Sequence, residues 1–276
     1  MTFGVRCAAV TFAGVPALSG VSMAVEPGTV VAVVGGDGAG KTTLLRSLVG
    51  QVRLDSGVVT APQPSDIGYL PATEGSWGAL TVRQNMDFAG GVFGLDGTDL
   101  HRRRDLLLAR AGLAEVPNRP ASQLSGGMRR KLAFSMAVLH QPRLLVLDEP
   151  STGVDPVSRV DLWRMVSEAA AAGTAVALAT TYLDEAERAS RLLVLDRGHV
   201  LAAGSLAEVL GSVPGTVTRT AAPHRTAWAW RRGQDHHEFW PGGHALPGGA
   251  VPVPPDLQDA VTVLSLLARA GSAGAA

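Results

Sequence analysis

Hydrophobic and polar positions follow an α/β pattern through the first three quarters of the chain. Continuous runs of β-branched and small apolar residues, typical of strands buried on both faces, occur at residues 29–34, 144–147 and 174–180. Shorter strands are predicted at 58–60 and 67–70, and residues 192–195 and 199–203 flank a hairpin turn. Helical spacing predicts helices from Lys41 to about Gly50 and over 101–113, 126–139, 161–172 and 183–189.

This order of elements predicts an α/β body interrupted by a mostly helical insertion at about residues 72–140. After Gly211 the pattern decays into a segment, 212–255, that is rich in Gly, Pro, Thr and His. Helical spacing returns at 256–270. We therefore predict one α/β domain over residues 1–211, and over 212–276 an appendage or linker with a terminal helix.

Composition narrows the class of protein. Lys plus Arg and Asp plus Glu both number 24, so the net charge is zero, which argues against a nucleic-acid binder held by a bulk basic field. The single cysteine, Cys7, excludes an internal disulfide and fits a reducing compartment. No uncharged apolar run reaches the ~18 residues of a membrane span. Residues 1–10 lack the apolar stretch of a signal peptide.

A glycine-rich segment follows the first buried run and precedes a helix. It reads GGDGAGKT at residues 35–42 and fits G-x-x-x-x-G-K-[ST] at every fixed position. Glycines let backbone N–H groups converge on phosphate oxygens, and the helix adds its positive end. A chance match in a glycine-rich turn is the alternative, and the flanking strand and helix favour the phosphate site. The residues predicted to bind phosphate are Gly35, Gly36, Asp37, Gly38, Ala39, Gly40, Lys41, Thr42 and Thr43.

A second motif delivers two carboxylates at the end of a strand. Residues 144–149 read LLVLDE, so four apolar residues precede Asp148 and Glu149. With Thr42, Asp148 is predicted to hold Mg²⁺, and Glu149 is predicted to polarise an attacking water as the catalytic residue. A buried strand that ends in a solvated acidic turn would have the same pattern. The phosphate loop upstream favours the functional interpretation.

The segment after residue 123 makes a family resemblance visible. It reads LSGGM at Leu124, Ser125, Gly126, Gly127 and Met128, and with GGDGAGKTT, LLVLDEP and STGVDP it resembles an ATP-binding subunit of an ABC transporter over residues 3–211. The resemblance implies a P-loop NTPase core with a central, mostly parallel sheet and an inserted α-helical subdomain. It implies ATP and Mg²⁺ as ligands and ATP hydrolysis as the reaction. It also implies pairing with a second ATP-binding domain, whose γ-phosphate the LSGGM segment would bind.

Further expectations come from the same resemblance. The chain would energise a separate membrane-spanning permease from the cytoplasmic face of the cell membrane, without nucleic acid. Phe12 falls where the family stacks an aromatic ring on adenine, although a core aromatic of an early strand is equally compatible. Asp155 matches the loop that communicates across the dimer, and it also suits a helix N-cap before Pro156. Ser125 likewise suits an N-cap.

Two short segments and two departures refine this resemblance. Residues 180–187, TTYLDEAE, and 255–261, PDLQDAV, resemble ABC-2-type exporters related to drug-resistance ATPases. Where the family has a Gln after the strand ending YLP, this chain has Ala72, and where it has a His before Tyr182, this chain has Thr181. Thr73 or Glu74 is expected to replace the Gln in part. We therefore expect slow hydrolysis by the isolated chain; the alternative is a degenerate, ATP-gated module partnered by a competent ATPase.

Three other functions carry less weight. An ABC protein acting on DNA or ribosomes would need two fused domains or a coiled-coil insertion, and the sequence shows neither. His224, His236, His237 and His244 allow a metal site, but their spacing favours a solvated tail. The three arginines at 102–104 could touch acidic lipid or a partner, although a solvated helix face suits them better.

Overall fold

The computed structural model describes residues 2–73 and 75–273, and its central element is a six-stranded sheet. The strand order is β5-β6-β7-β3-β8-β9, and every pair is parallel except the last, which is the predicted hairpin. Strands β3, β6 and β7 are buried along their whole length, as their continuous apolar runs require. The predicted mostly parallel sheet is therefore confirmed. The strands are β3 Val30–Val34, β5 Ile67–Leu70, β6 Leu144–Asp148, β7 Ala175–Thr180, β8 Arg191–Asp196 and β9 His199–Gly204.

A three-stranded antiparallel sheet covers one face of this layer. Its order is β2-β1-β4, with β1 Phe3–Phe12, β2 Val15–Val25 and β4 Ser56–Thr60. Helix α1, Lys41–Leu48, buries Leu44 and Leu45 in the core that the two sheets share. The sequence analysis predicted part of β4 and missed the β1–β2 hairpin.

Helices cover the opposite face and form the insertion. The insertion comprises α2 Val82–Val92, α3 Gly97–Arg110 and α4 Gly126–Val138, and α5 Pro156–Ala171 packs beside them. Helix α2, which the sequence analysis missed, begins with a reciprocal cap between Thr81 and Gln84. Arg104 is buried and paired with Asp87 and Asp105, so the prediction of a solvated arginine face was wrong at that residue.

The C-terminal quarter contains a third sheet that the sequence analysis did not predict. Its strands are β10 Gly215–Thr220, β11 Ala229–Arg232, β12 Asp235–Pro241 and β13 Val251–Val253, and they lie in the antiparallel order β11-β12-β10-β13. The short helix α7, Leu206–Gly211, connects β9 to β10, and helix α8, Leu257–Ala273, follows β13. Another short helix, α6 Leu183–Ala186, lies between β7 and β8 of the central sheet. The sequence pattern predicts no strands over residues 212–255, so this sheet is a difference from that expectation.

Helix α8 joins the new sheet to the rest of the chain. Its residues Leu257 and Ala260 are buried with Val194 of the central sheet, whereas Val263 is buried with Phe239 of β12. The division of the chain at residue 211 stays a prediction. Within the described residues, no helix combines the length and apolar character that crossing a bilayer requires.

Candidate functional site

The glycine-rich loop lies between β3 and α1, at the edge of the central sheet where the parallel strands end. Gly40 caps α1 with φ +102°, and a Cβ at this position would lie 2.5 Å from the carbonyl oxygen of Ala17. The Lys41 ammonium donates to the carbonyls of Gly35 at 2.9 Å and Gly36 at 3.2 Å, and it is only 7% exposed. The loop is therefore wrapped around a buried cation at the start of a helix, an arrangement suited to anionic phosphates.

Asp148 ends β6 directly beside this loop. The Thr42 hydroxyl donates to Asp148 Oδ1 at 3.1 Å, and Asp148 is fully buried. Within the described residues, its second oxygen, Oδ2, has no hydrogen-bond partner. Burial raises the pKa of the Asp148 carboxyl, and the Thr42 hydrogen bond opposes part of that rise. A buried carboxylate oxygen without a partner beside a hydroxyl suits a hard divalent cation, so these two residues fit Mg²⁺.

Glu149 turns its carboxylate into the same space. Its backbone adopts φ +49°, the left-handed region that non-glycine residues rarely occupy. Oε1 lies 3.4 Å from Lys41 Nζ. Oε2 accepts from the Thr152 hydroxyl at 3.0 Å and from the backbone N–H and hydroxyl of Thr181, both at 3.3 Å. Four surrounding donor groups thus fix the direction of this carboxylate.

These groups line one open cavity of about 530 Å³. The cavity brings together most of the predicted phosphate loop, the carboxylate Glu149 and both departures from the family pattern. Ala17 and Thr152 belong to it as well, and the sequence analysis did not single them out. The lining residues are Ala17, Asp37, Gly38, Ala39, Gly40, Lys41, Thr42, Thr43, Ala72, Glu149, Thr152 and Thr181. Two residues were expected to replace the missing Gln in part. Thr73 is not among the described residues that line the cavity, and Glu74 lies outside the described residues.

The LSGGM segment lies elsewhere, at the start of α4. Ser125 caps the helix by accepting from the Met128 N–H at 3.2 Å, while Leu124 is buried and Gly126 exposed. Gly127 packs tightly on α5, because a Cβ there would lie 2.3 Å from the Ser158 hydroxyl oxygen. Among the described residues that line the cavity, none comes from this segment. The structure therefore does not bring Leu124–Met128 to the phosphate loop of the same chain.

The remaining predicted residues occupy separate places. Asp155 caps α5 by accepting from the N–H groups of Val157 and Ser158, and the Ser158 N–H lowers the pKa of its carboxyl. Phe12 ends β1 with its side chain 51% exposed, so it is not a core aromatic. It is not among the residues that line the cavity. Its role toward adenine stays a prediction.

The histidines of the tail make structural contacts. His237 Nδ1 lies 2.9 Å from Asp259 Oδ1, and His224 Nδ1 lies 3.4 Å from Glu238. In the part of the chain that the structure describes, no three or more His, Cys, Asp or Glu side chains form a group that could hold a metal ion. One residue that the sequence analysis noted only as a basic helix start, Arg130, is buried beneath Asp148 and Glu149.

Comparison with known proteins identifies the family. The profile described as ABC transporter matches residues 18–152. The chain is 35% identical over 219 residues to the probable multidrug ABC transporter ATP-binding protein YbhF of Escherichia coli, covering 76% of this chain and 38% of that protein. It is 41% identical over 197 residues to the daunorubicin resistance ATP-binding protein DrrA2 of Streptomyces coeruleorubidus, covering 67% of this chain and 61% of that protein. The chain thus spans under two thirds of these two relatives.

The chain covers a larger share of a third relative, and solved structures share its fold. The Nod factor export ATP-binding protein I of Rhizobium meliloti is 32% identical over 232 residues, covering 76% of this chain and 69% of that protein. The solved structure of an ATP binding subunit of an ABC transporter aligns with a TM-score of 0.70 at 26% identity, covering 76% of this chain and 92% of that one. The cbiO1 protein from Clostridium perfringens aligns with a TM-score of 0.67 at 24% identity, covering 76% and 93%. The chain belongs to the family of ABC transporter ATP-binding proteins.

Proposed function

We propose that this chain binds MgATP in the cavity beside the phosphate loop and hydrolyses it to energise a separate membrane-spanning exporter subunit. One observation carries the proposal. Lys41, Thr42, Asp148 and Glu149 come from segments more than 100 residues apart, and they meet at distances of 3.1 to 3.4 Å at one sheet edge. The names of the relatives, which refer to drug resistance and export, support the exporter class.

The phosphate loop would bind the nucleotide phosphates, and Thr42 and Asp148 would bind the metal ion. Backbone N–H groups of residues 36–43 and the Lys41 ammonium would hold the phosphate oxygens by charge-assisted hydrogen bonds. Thr42 and Asp148 would hold Mg²⁺, which when bound neutralises negative charge on the phosphates. Mg²⁺ would also give a partner to Asp148 Oδ2, which has no hydrogen bond within the described residues.

Glu149 is placed to act on the attacking water. Its carboxylate would accept a hydrogen bond from that water and orient it toward the γ-phosphate. Thr152 and Thr181 restrict the rotation of the carboxylate, so its oxygens face the cavity. The presence of Glu149 in the cavity favours hydrolysis over the alternative of an ATP-gated clamp.

A second ATP-binding domain completes the proposed site. Gly126 and Gly127 begin α4, and neither is among the described residues that line the cavity of their own chain. A helix N-terminus attracts anions, so the α4 start would bind the γ-phosphate held by a second, head-to-tail domain. This arrangement would let each nucleotide be enclosed by two chains.

An exposed aromatic pair supports the membrane partner. Trp77 and Phe88 are 49% and 48% exposed, and their rings meet edge-on with centroids 4.4 Å apart. Trp77 follows Ala72, which lines the nucleotide cavity, by five residues. A partner that contacts this aromatic pair would therefore bind next to the segment that carries Ala72. We assign the patch to the permease, which would hold the chain peripherally at the membrane.

The Glu149→Gln variant tests this function. It should keep ATP binding and slow turnover, so the ATP-bound dimer should persist in MgATP. Size-exclusion chromatography with light scattering measures the mass, and the double variant Lys41→Ala/Glu149→Gln is the control that should remain monomeric. A Glu149→Gln chain that stays monomeric at saturating MgATP, alone and with any companion ATPase chain, contradicts the proposal.

A further inference from the structure

Arg130 is a buried cation whose guanidinium binds backbone carbonyl oxygens. It lies on α4, five residues after Ser125, and is only 6% exposed. Its guanidinium donates to the carbonyls of Asp148 at 3.0 Å, Glu149 at 2.8 Å and Pro150 at 2.8 Å. Burial lowers the pKa of Arg130, and the nearby carboxylates of Asp148 and Glu149 oppose this. The planar fork of donors is the feature that allows three successive carbonyls to be bound at once.

The three carbonyls belong to the turn that aims Glu149. The chain leaves β6 at Asp148, and Glu149 then adopts φ +49°, which a non-glycine residue adopts only where its surroundings enforce it. The guanidinium contributes to that enforcement, because it binds the carbonyl oxygens of three successive residues of the turn. Arg130 thus holds the backbone from which the Glu149 side chain projects, whereas Lys41, Thr152 and Thr181 contact the carboxylate itself.

The same guanidinium reaches a second loop. Arg130 also donates to the carbonyl of Thr73, in the loop after β5 that carries Ala72. Ala72 lines the cavity and has no polar side chain, so it cannot connect this loop to the reacting groups. The bond to Thr73 supplies such a connection through the backbone.

We propose that Arg130 is a positioning residue for ATP hydrolysis, which orients Glu149 and ties it to the loop at residues 71–73. The inference rests on the proposed function. Arg130 does not line the nucleotide cavity, so it acts through Glu149 and not by binding ATP. Helix α4 would then serve two nucleotide sites. Its first residues would bind the γ-phosphate held by a second domain, while Arg130 binds the turn that carries Glu149 in its own chain.

The experiment compares Arg130→Lys and Arg130→Gln with a matched control. Arg104→Lys alters another buried arginine, 9% exposed, which pairs with Asp87 at 2.7 Å and Asp105 at 2.9 Å away from the cavity. For each full-length variant we would measure kcat, ATP affinity and the thermal midpoint. A lysine cannot span the four carbonyls, so kcat should fall by about tenfold or more while ATP affinity changes less than about threefold. Arg104→Lys should leave kcat unchanged.

A double variant separates positioning from general destabilisation. If Arg130 acts through Glu149, then Arg130→Lys should cost no further rate in a Glu149→Gln chain. Undiminished kcat in both Arg130 variants overturns the inference, and so does an equal further loss in the Glu149→Gln background. The inference is also overturned if the Arg130 variants lose kcat and ATP affinity in parallel and Arg104→Lys loses both to the same extent. A wild-type chain that neither binds nor hydrolyses ATP contradicts the proposed function itself, and the inference with it.

Discussion

Replacing Thr181 by histidine tests whether the loop after β7 limits hydrolysis. The Thr181 hydroxyl and backbone N–H each lie 3.3 Å from Glu149 Oε2, a long distance for a hydrogen bond. The short side chain is occupied by Glu149 and cannot present an imidazole to the γ-phosphate. Thr181 is exposed at the cavity, so a larger ring can be accommodated there without displacing buried groups.

The expected gain follows from the value of one preorganised donor. Removing such a donor from a transition state costs about 10²–10³ in rate, or ~2.7–4 kcal/mol. Thr181 still donates to Glu149, so the native chain keeps part of this transition-state stabilisation. We therefore expect Thr181→His to raise kcat about tenfold or more, which is ~1.4 kcal/mol. ATP affinity should change little, because Lys41 and the phosphate loop hold the nucleotide independently of Thr181. Adding Ala72→Gln should give a further gain that is not additive.

Steady-state phosphate release by the purified chain measures kcat, and calorimetry measures ATP affinity. The native chain should bind MgATP tightly and hydrolyse it slowly. The control Thr181→Val removes the hydroxyl but keeps the backbone N–H, so its kcat should fall below the native value. Fast, transporter-like turnover by the native chain would show that Thr181 and Ala72 do not limit hydrolysis. So would the absence of any gain from Thr181→His, alone or with Ala72→Gln.

Three further predictions address binding and stability. Lys41→Ala removes a cation whose charge-assisted hydrogen bonds to phosphate are worth ~1.5–3 kcal/mol each. ATP affinity, measured by calorimetry, should therefore fall about tenfold or more. Unchanged affinity would mean that the phosphate-loop assignment is wrong. Asp148→Asn should abolish the contribution of Mg²⁺ to ATP affinity. Burial raises the pKa of Asp148, so the stability that this carboxyl contributes is fully present below its unfolded pKa and is lost as pH rises toward its folded pKa. The Asn variant should therefore gain stability relative to wild type in urea titrations as pH rises above about 4, and a constant difference contradicts this. Asp259→Ala removes the buried carboxylate that pairs with the partly buried ring nitrogens of Trp230 and His237, so it should cost about 2–4 kcal/mol of stability. Urea unfolding followed by tryptophan fluorescence measures this loss, ATP affinity should stay unchanged, and an unaltered unfolding midpoint argues against the prediction.

The parts of the fold that the sequence predicted are those with strong local signals. Strands β3, β6 and β7 are continuous apolar runs because both faces are buried, and no alternation is needed to identify them. The β1–β2 hairpin lacks that clarity. Its register shifts between Val5 and Ala8, and Cys7 adopts φ +49°, so the alternation of period two is broken within β1. Helix α2 was missed because it contains Gly90 and Gly91, which lower helix propensity.

The third sheet could not be predicted from hydrophobic periodicity for a different reason. Several of its buried positions are polar: Thr218 and Glu238 are fully buried, and Asp259 of the helix that covers the sheet is 1% exposed. Each is satisfied by a partner distant in sequence, such as the N–H groups of His224 and Arg225 for Glu238. A pattern of apolar positions cannot detect a core whose polar groups are paired across the fold.

The same distinction separates the predicted and unpredicted residues of the candidate site. The phosphate loop and the two carboxylates could be predicted because each motif pairs a local element with its reactive groups, and strand ends of one parallel sheet meet at one edge. Arg130 has no such signature. Three consecutive basic residues at a helix start are typical of a solvated surface, yet Arg130 and Lys131 are both buried. Burying the Arg130 guanidinium is favourable only where oxygens are already arranged to receive it. Those oxygens are backbone carbonyls of residues 73 and 148–150, and a carbonyl is present at every position of every sequence. Only the folded turn shows which of them the guanidinium binds.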